Sequence, residues 1–164
     1  MSDQDARVAP DVRVTDIVLP NQTNNFRTMF GGEVMAMMDR AAAIAALRFC
    51  RQPVVTASSE RIDFRTPIHA GEIIEASARV IYVGRTSLIV RVHIYAEQAL
   101  EGEKRICTTG YFSMVSIDSQ GKARPVPHLL IEDDLARAEQ AVGEEIRRMI
   151  DARRKPAGPK NVVS

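Results

Sequence analysis

The sequence predicts an α+β fold in which an antiparallel sheet wraps around one long helix. The helix is the mostly apolar run that begins near Gly32 and ends before Pro53. After Pro53 the period changes, because apolar and polar residues alternate along several long segments, which is the pattern of β-strands. A helix that is apolar on most sides must be covered on most sides, and a curved sheet provides that cover.

The elements follow in a simple order. The segment VRVTDIVLP alternates and predicts a first strand ended by Pro20, and NQTNNFRT has the Asn and Thr content of a turn. The long helix ends before Pro53 because proline has no N–H to continue it. The later strands are VVTASSERIDFRTP (one strand or two short ones), EIIEASARVIYV and TSLIVRVHIYAEQ (a hairpin turning at Gly84 and Arg85), and KRICTTGYFSMVSI. The charged, weakly amphipathic segment 131–154 predicts a C-terminal helix.

These elements divide the chain into three parts. We expect a flexible N-terminal tail over residues 1–11, one domain over residues 12–128, and a C-terminal helix and tail over residues 129–164. Consecutive strands curved around one central helix form the hotdog fold. This fold is favoured over a ferredoxin-like arrangement because a single helix is central and the strands run consecutively.

Composition and charge exclude several classes of protein. The 164 residues are 45% hydrophobic and 26% charged, which indicates one ordinary domain rather than a disordered or fibrous chain. The net charge of +1 gives no field that would gather nucleic acid. The polar N-terminus lacks the features of a signal peptide, and charges interrupt the apolar helix, so we expect a cytoplasmic protein that does not bind membranes. Cys50 and Cys107 lack metal-type spacing, which predicts a buried reduced pair and no metal site.

Asp39 is the unusual residue of the long helix, because no lysine or arginine lies three or four positions away from it. Such a carboxylate is exposed, paired through a tertiary contact, or held as a general base. Gly31 and Gly32 begin the helix about two turns, roughly 10 Å, before it, where free N–H groups suit an oxyanion. A plain helix cap is the alternative role of the glycines. Asn24 and Asn25 could orient a water or carbonyl, or simply form a turn.

Three motifs together resemble the broad-range acyl-CoA thioesterases of the hotdog superfamily. LPNQTNNFRTMFGGEVMAMMDRAAAIAA is similar to that family's Thr-Asn pair, Phe-Gly-Gly and Met-Asp within an alanine-rich helix. VVTASSERIDFRTPIHAGE is similar to its next strand, and VGRTS to its Gly-x-Thr-Ser hairpin. The likeness covers about residues 15–116. One departure is the linker, where this chain has Phe26 and Arg27 and many relatives have Thr-Asn-x-x-Gly.

The resemblance implies hydrolysis of acyl-CoA to a free acid and CoA, in lipid metabolism. By motif position, Asn24 of one chain and Asp39 of another form the catalytic pair across a dimer interface, and the Gly32 N–H binds the thioester carbonyl. The dimers would assemble as a trimer of dimers, a hexamer, without a cofactor, since CoA belongs to the substrate. The implied CoA contacts are Ser58, Ser59, Arg61, Gly84, Arg85, Thr86 and Ser87.

Two other functions compete with hydrolysis. A hotdog dehydratase needs a histidine on the segment entering the helix, and no histidine precedes His69. A non-catalytic acyl-CoA sensor would bind the same ligand, but such a protein usually carries an output domain, and Asp39 would have no task in it. The sensor therefore stays as the alternative to the enzyme.

Overall fold

The computed structural model describes residues 5–155. The predicted flexible tail over residues 1–11 lies partly outside this range, as do residues 156–164 of the predicted C-terminal tail. Within the range, strand β1 (Ala6–Arg7) pairs in parallel with strand β7 (His128–Leu129). The Arg7 side chain donates hydrogen bonds to the carbonyl oxygens of Phe49 and Cys50, at 2.9 and 3.1 Å. The segment around Arg7 is therefore held against the end of the long helix instead of forming a flexible tail.

The main sheet has five antiparallel strands in the order β2-β4-β5-β6-β3. The strands are β2 (Val12–Ile17), β3 (Val54–Phe64), β4 (Ile73–Val83), β5 (Ser87–Glu97) and β6 (Lys104–Ser116). A short 3₁₀ helix, Pro20–Gln22, follows β2. Strand β3 is one strand rather than two, and lies at an edge of the sheet with register shifts between Thr56 and Ser58 and between Glu60 and Asp63.

Helix α1 (Gly31–Cys50) contacts all five strands of this sheet, so the predicted arrangement of a sheet around one long helix is present. The helix ends where Arg51 adopts a left-handed conformation (φ 54°), two residues before Pro53. Alanines on its buried face carry short side chains, so the helix backbone can lie close to the sheet. The fully buried alanines are Ala41, Ala42, Ala45 and Ala46.

Helix α2 (Asp134–Arg154) covers part of the opposite face of the sheet. It begins at Asp133, whose carboxylate accepts a hydrogen bond from the Ala136 N–H at 2.7 Å. Its apolar side packs in a second cluster that contains Ile81, Ile89, Ile146 and Ile150. Because side chains alternate across a strand, Ile89 points away from the α1 core that its neighbours Leu88 and Val90 enter.

Cys50 and Cys107 are both buried and free, as the sequence predicted. None of the helices within residues 5–155 is long and apolar enough to cross a membrane.

Candidate active site

Asp39 lies on the side of α1 that the sheet leaves partly open. Helical spacing places Gly32, Met35, Ala36 and Asp39 on one face, and these residues line a shallow cavity. The opposite wall comes from the sheet, with Thr56, Ser59 and Phe112. Asp39 itself is half-buried. Its carboxylate therefore faces a shallow, solvent-accessible cavity rather than the core.

Thr56 is the partner of this carboxylate. The Thr56 hydroxyl donates a hydrogen bond to Asp39 Oδ1 at 2.6 Å. No arginine, lysine or histidine among residues 5–155 forms an ion pair with Asp39. The tertiary salt bridge considered from the sequence is thus absent from the described chain. One carboxylate oxygen is oriented by Thr56, and the other is left for a ligand or a water.

The start of α1 presents two free amide groups. Phe30 precedes the helix and gives no side-chain cap, and its carbonyl accepts from the N–H groups of Glu33 and Val34 at 3.0 and 3.1 Å. The N–H groups of Gly31 and Gly32 have no hydrogen-bond partner in the part of the chain that the structure describes. A side chain at Gly32 would meet nothing within 4 Å, so the space in front of it is open. Gly32 lines the Asp39 cavity, and its N–H can receive an oxyanion there.

The Asn24 side chain organises its own loop. Its Oδ1 accepts from the N–H groups of Phe26 and Thr28 at 2.9 and 3.2 Å, and its Nδ2 donates to Thr28 Oγ1 at 2.9 Å. The turn-forming role considered from the sequence is therefore the one seen within a single chain. Asn24 does not line the Asp39 cavity of the same chain. Asn25 is exposed.

The predicted CoA contacts on β3 fall on different sides of the sheet. Ser59 lines the Asp39 cavity. Ser58 donates a hydrogen bond to Glu60 Oε1 at 2.9 Å instead. Arg61 has a left-handed backbone (φ 47°) at the second register shift, and donates to Glu145 Oε1 of α2 at 3.0 Å. The structure therefore brings Ser59 alone of these three to the Asp39 cavity.

The predicted contacts Gly84, Arg85, Thr86 and Ser87 form the turn between β4 and β5. The Gly84 N–H donates to the Ser87 carbonyl at 2.8 Å, which closes the hairpin turn. Arg85 is exposed at its tip. The buried Ser87 hydroxyl accepts a hydrogen bond from Arg147 Nη1 of α2 at 2.7 Å. The Ser87 side chain thus has a partner within the chain, whereas the exposed Arg85 guanidinium has none in the described part of the chain and can reach a phosphate.

Helix α2 ties the hairpin and β3 together from the outer face. Arg147 holds Ser87, and Arg153 donates two hydrogen bonds to the buried Glu60 carboxylate, at 2.5 and 3.1 Å. The Arg153 hydrogen bonds hold the pKa of Glu60 below its usual value. These contacts could not be predicted from the sequence, because arginines on a charged helix are usually solvated.

Comparison with known proteins agrees with this architecture. Residues 26–103 match the family model of the thioesterase superfamily. The chain is 38% identical over 120 residues to the acyl-CoA thioester hydrolase YkhA of Bacillus subtilis, covering 73% of this chain and 70% of that protein. The acyl-CoA hydrolase of Staphylococcus aureus, solved with butyryl-CoA and CoA, superposes with a TM-score of 0.85 at 32% identity, over 91% of this chain and 92% of that one.

A hexameric acyl-CoA thioesterase superposes with a TM-score of 0.87 at 29% identity, over 93% of this chain and 99% of that one. The chain belongs to the acyl-CoA thioester hydrolases of the thioesterase superfamily. The predicted family, the hotdog fold and the assignment as an acyl-CoA thioesterase are confirmed.

Proposed function

We propose that this protein hydrolyses acyl-CoA to a carboxylic acid and CoA, with Asp39 as the general base. The observation that carries the proposal is a half-buried carboxylate that has no ion pair among residues 5–155, is hydrogen-bonded to Thr56, and faces a cavity with a Gly32 N–H that no group in the same range meets. The solved relative from Staphylococcus aureus binds butyryl-CoA and CoA, which supports the substrate class.

In this mechanism Asp39 takes a proton from a water as the water oxygen attacks the thioester carbonyl carbon. Thr56 holds Oδ1 of Asp39, so that the other oxygen can face the water. The Gly32 N–H donates to the carbonyl oxygen as it becomes negatively charged. The carbon–sulfur bond then breaks, and the thiolate of CoA takes up the proton. Direct attack by the carboxylate on the thioester is the less favoured alternative.

We further propose that Asn24 acts in the site of a second chain. Its amide has one N–H beyond the bond to Thr28, and it does not line the Asp39 cavity of its own chain. The Staphylococcus aureus hydrolase has been solved as alanine mutants of an asparagine, an aspartate and a threonine, the residue types of Asn24, Asp39 and Thr56. A homodimer that assembles as a trimer of dimers accords with the hexameric relatives.

The CoA part of the substrate would lie along Ser59 and the β4–β5 turn, where Arg85 is exposed and offers a guanidinium for a phosphate. A cytoplasmic location and a role in lipid metabolism belong to the same proposal. A mouse relative named cytosolic acyl coenzyme A thioester hydrolase is 31% identical over 135 residues, which cover 80% of this chain and 35% of that protein.

The first experiment is Asp39→Asn, assayed by thiol release from butyryl-CoA. We expect turnover to fall by about 10²–10⁴-fold, because a general base is lost, while CoA binding measured by calorimetry is nearly unchanged. Asp134→Asn is the matched control, since that side chain is fully exposed on α2 (101%). Turnover by Asp39→Asn close to wild type would remove Asp39 from the mechanism, and CoA binding without any thiol release by the wild type would favour the sensor.

A second experiment tests whether two chains share the site. Asn24→Ala and Asp39→Asn chains are each expected to be inactive alone. When they are coexpressed, a mixed dimer would contain one site with both native residues, so activity should return. No recovery in confirmed mixed dimers would place Asn24 and Asp39 of one chain in the same site, and full activity of Asn24→Ala alone would remove Asn24 from the site.

A further inference from the structure

A second cavity, of about 320 Å³, lies beside the start of α1 and shares no lining residue with the Asp39 cavity. Its walls are mostly apolar, formed by Met29, Val34, Phe64, Pro67 and Ile68. Val34 and Ile68 are almost fully buried, while the Phe64 ring is 53% exposed. The cavity therefore extends from the α1 core to the surface at Phe64, and suits an apolar ligand that enters from outside.

Polar side chains also line this cavity, namely those of Thr28, Arg65, Thr66 and Thr108. Among them, Thr108 is 1% exposed. Gly31 also lines the cavity, and its N–H is one of the two free amides at the start of α1. Polar groups beside apolar walls can hold the polar end of a ligand or a water in the cavity. A Cβ at Gly31 would lie 3.4 Å from the Phe64 ring, so the glycine keeps this entrance wide.

Within one chain the cavity adjoins Gly32, which is proposed to hold the thioester beside Asp39, and the loop of Asn24, which is proposed to act in the site of the second chain. Thr28 lines it and accepts the hydrogen bond of the Asn24 amide. Gly31 lines it and is joined by one peptide bond to Gly32, whose N–H faces Asp39. A thioester whose carbonyl oxygen accepts from the Gly32 N–H would therefore have its acyl carbon one residue away from the lining of this cavity.

We propose that this cavity binds the acyl chain and selects medium-chain substrates of about 6 to 12 carbons. The volume of the cavity sets the upper limit, because a cavity near 150 Å³ already holds benzene. The proposal rests on the proposed hydrolysis of acyl-CoA. Each methylene buried in the cavity raises kcat/KM by about fourfold until the cavity is full. Longer chains gain nothing more, since their ends remain in water.

The experiment is a panel of saturated acyl-CoAs from acetyl to palmitoyl, assayed with the wild type, Val34→Phe and Phe64→Ala. Val34→Phe fills the buried end, so kcat/KM for octanoyl-CoA should fall at least about tenfold while butyryl-CoA changes little. Phe64→Ala widens the exposed wall and should move the optimum to longer chains. Phe64 is half-exposed, so this variant tests the cavity even if Val34→Phe fails to fold. Val8→Phe, at a valine that is 45% exposed, is the matched control.

The outcomes separate the two proposals. Folded variants whose chain-length profiles match the wild type, or a wild type whose kcat/KM does not rise from acetyl to octanoyl, would overturn the acyl cavity and leave the hydrolysis intact. Absence of thiol release from every acyl-CoA by the wild type would overturn the hydrolysis itself. Opposite shifts in the two variants would support the cavity.

Discussion

Glu72 is buried at a turn near the candidate site, and Glu72→Gln tests how that region is held. The residue is 4% exposed. Its Oε1 accepts from Arg105 Nη1 at 2.7 Å, and its Oε2 accepts from Arg105 Nη2 and from the His69 N–H, both at 2.8 Å. Glutamine has one oxygen and one NH₂ group, so it cannot accept all three hydrogen bonds.

This turn supports the loop that carries Asn24. The Met29 N–H donates to the Ile68 carbonyl at 2.7 Å, and the Ala70 N–H donates to the Arg27 carbonyl at 3.1 Å. Because the turn and the loop are joined in this way, disturbing Glu72 also disturbs the position of Asn24. We therefore expect kcat for butyryl-CoA to fall together with stability in Glu72→Gln.

The expected loss of unfolding free energy in Glu72→Gln follows from the burial of the Glu72–Arg105 ion pair. Removing one partner of a buried ion pair costs about 3–5 kcal/mol, because the other charge is left without compensation. The Arg105 side chain is 31% exposed, so water reaches it and the loss should lie near the lower end, at about 3 kcal/mol. For a chain of this size, that loss lowers Tm by about 6–12 °C.

The loss should also depend on pH. The Arg105 hydrogen bonds hold the pKa of Glu72 below its usual value of 4.5. The carboxylate is therefore charged in the folded state at pH values where it is protonated in the unfolded state. Its contribution to stability is fully present above pH 4.5, and is lost as the pH falls through the lowered pKa. Because glutamine does not titrate, the difference in unfolding free energy between the wild type and Glu72→Gln should be greatest near pH 7 and become smaller in acid.

The measurement is urea unfolding followed by circular dichroism at a fixed protein concentration, at pH 7 and at a series of values below 4.5. Glu101→Gln is the control, since Glu101 is exposed near the same end of the sheet, and a change within about 0.5 kcal/mol is expected. A loss below about 1 kcal/mol for Glu72→Gln at pH 7, or a difference that does not narrow in acid, would refute this account of the pair.

Two further predictions concern the outer face of the sheet. Gly143→Ala should destabilise the protein by about 1–3 kcal/mol in urea unfolding, because the new Cβ would lie 2.4 Å from Tyr82 Cβ; a change below about 0.5 kcal/mol would mean that α2 shifts freely. Burial, helped by Arg91, lowers the pKa of His93 from 6.5 to about 4, so NMR should find its ring neutral at pH 6. The contribution of the neutral His93 ring to stability is present above pH 6.5 and is lost as the pH falls through about 4. The unfolding free energy of His93→Gln should therefore decrease less steeply with falling pH than that of the wild type. An NMR pKa near 6.5 for His93 would contradict this expectation.

The main elements of the fold could be predicted because each has a clear period or a clear stop. Pro53 marks the end of α1, and the alternation of the later segments is long enough to define β3 to β6. The pairing of β1 with β7 could not be predicted, because two-residue strands have no period. The hydrogen bonds from Arg7 to the end of α1 are likewise tertiary contacts without a local signal.

The candidate site was only partly visible in the sequence. Asp39 could be identified from the sequence because a charge in an apolar helix is costly unless it has a partner or a function. Thr56 was missed, because a threonine in an alternating strand suits that strand anyway, and only the packing of β3 on α1 brings it to Asp39. The role of Asn24 could not be decided from the sequence, because asparagine is also common in turns. Its side chain serves a turn within its own chain whether or not it also serves a second site.

The chemistry proposed for the site uses polar groups that the described part of the chain leaves open to a ligand. Elsewhere, buried charges are largely satisfied, as in the contacts of Glu72 and Glu60 with arginines. The buried side-chain atoms without a partner among the described residues are Ser113 Oγ and one atom each of the paired Arg91 and Glu139, all on the sheet or α2. The partnerless backbone N–H groups at the start of α1 belong to a different class, because a glycine pair without a capping side chain keeps them open to a ligand. Both glycines are exposed, so water can meet these donors in the free protein, and in the proposed mechanism the thioester oxygen replaces that water at Gly32.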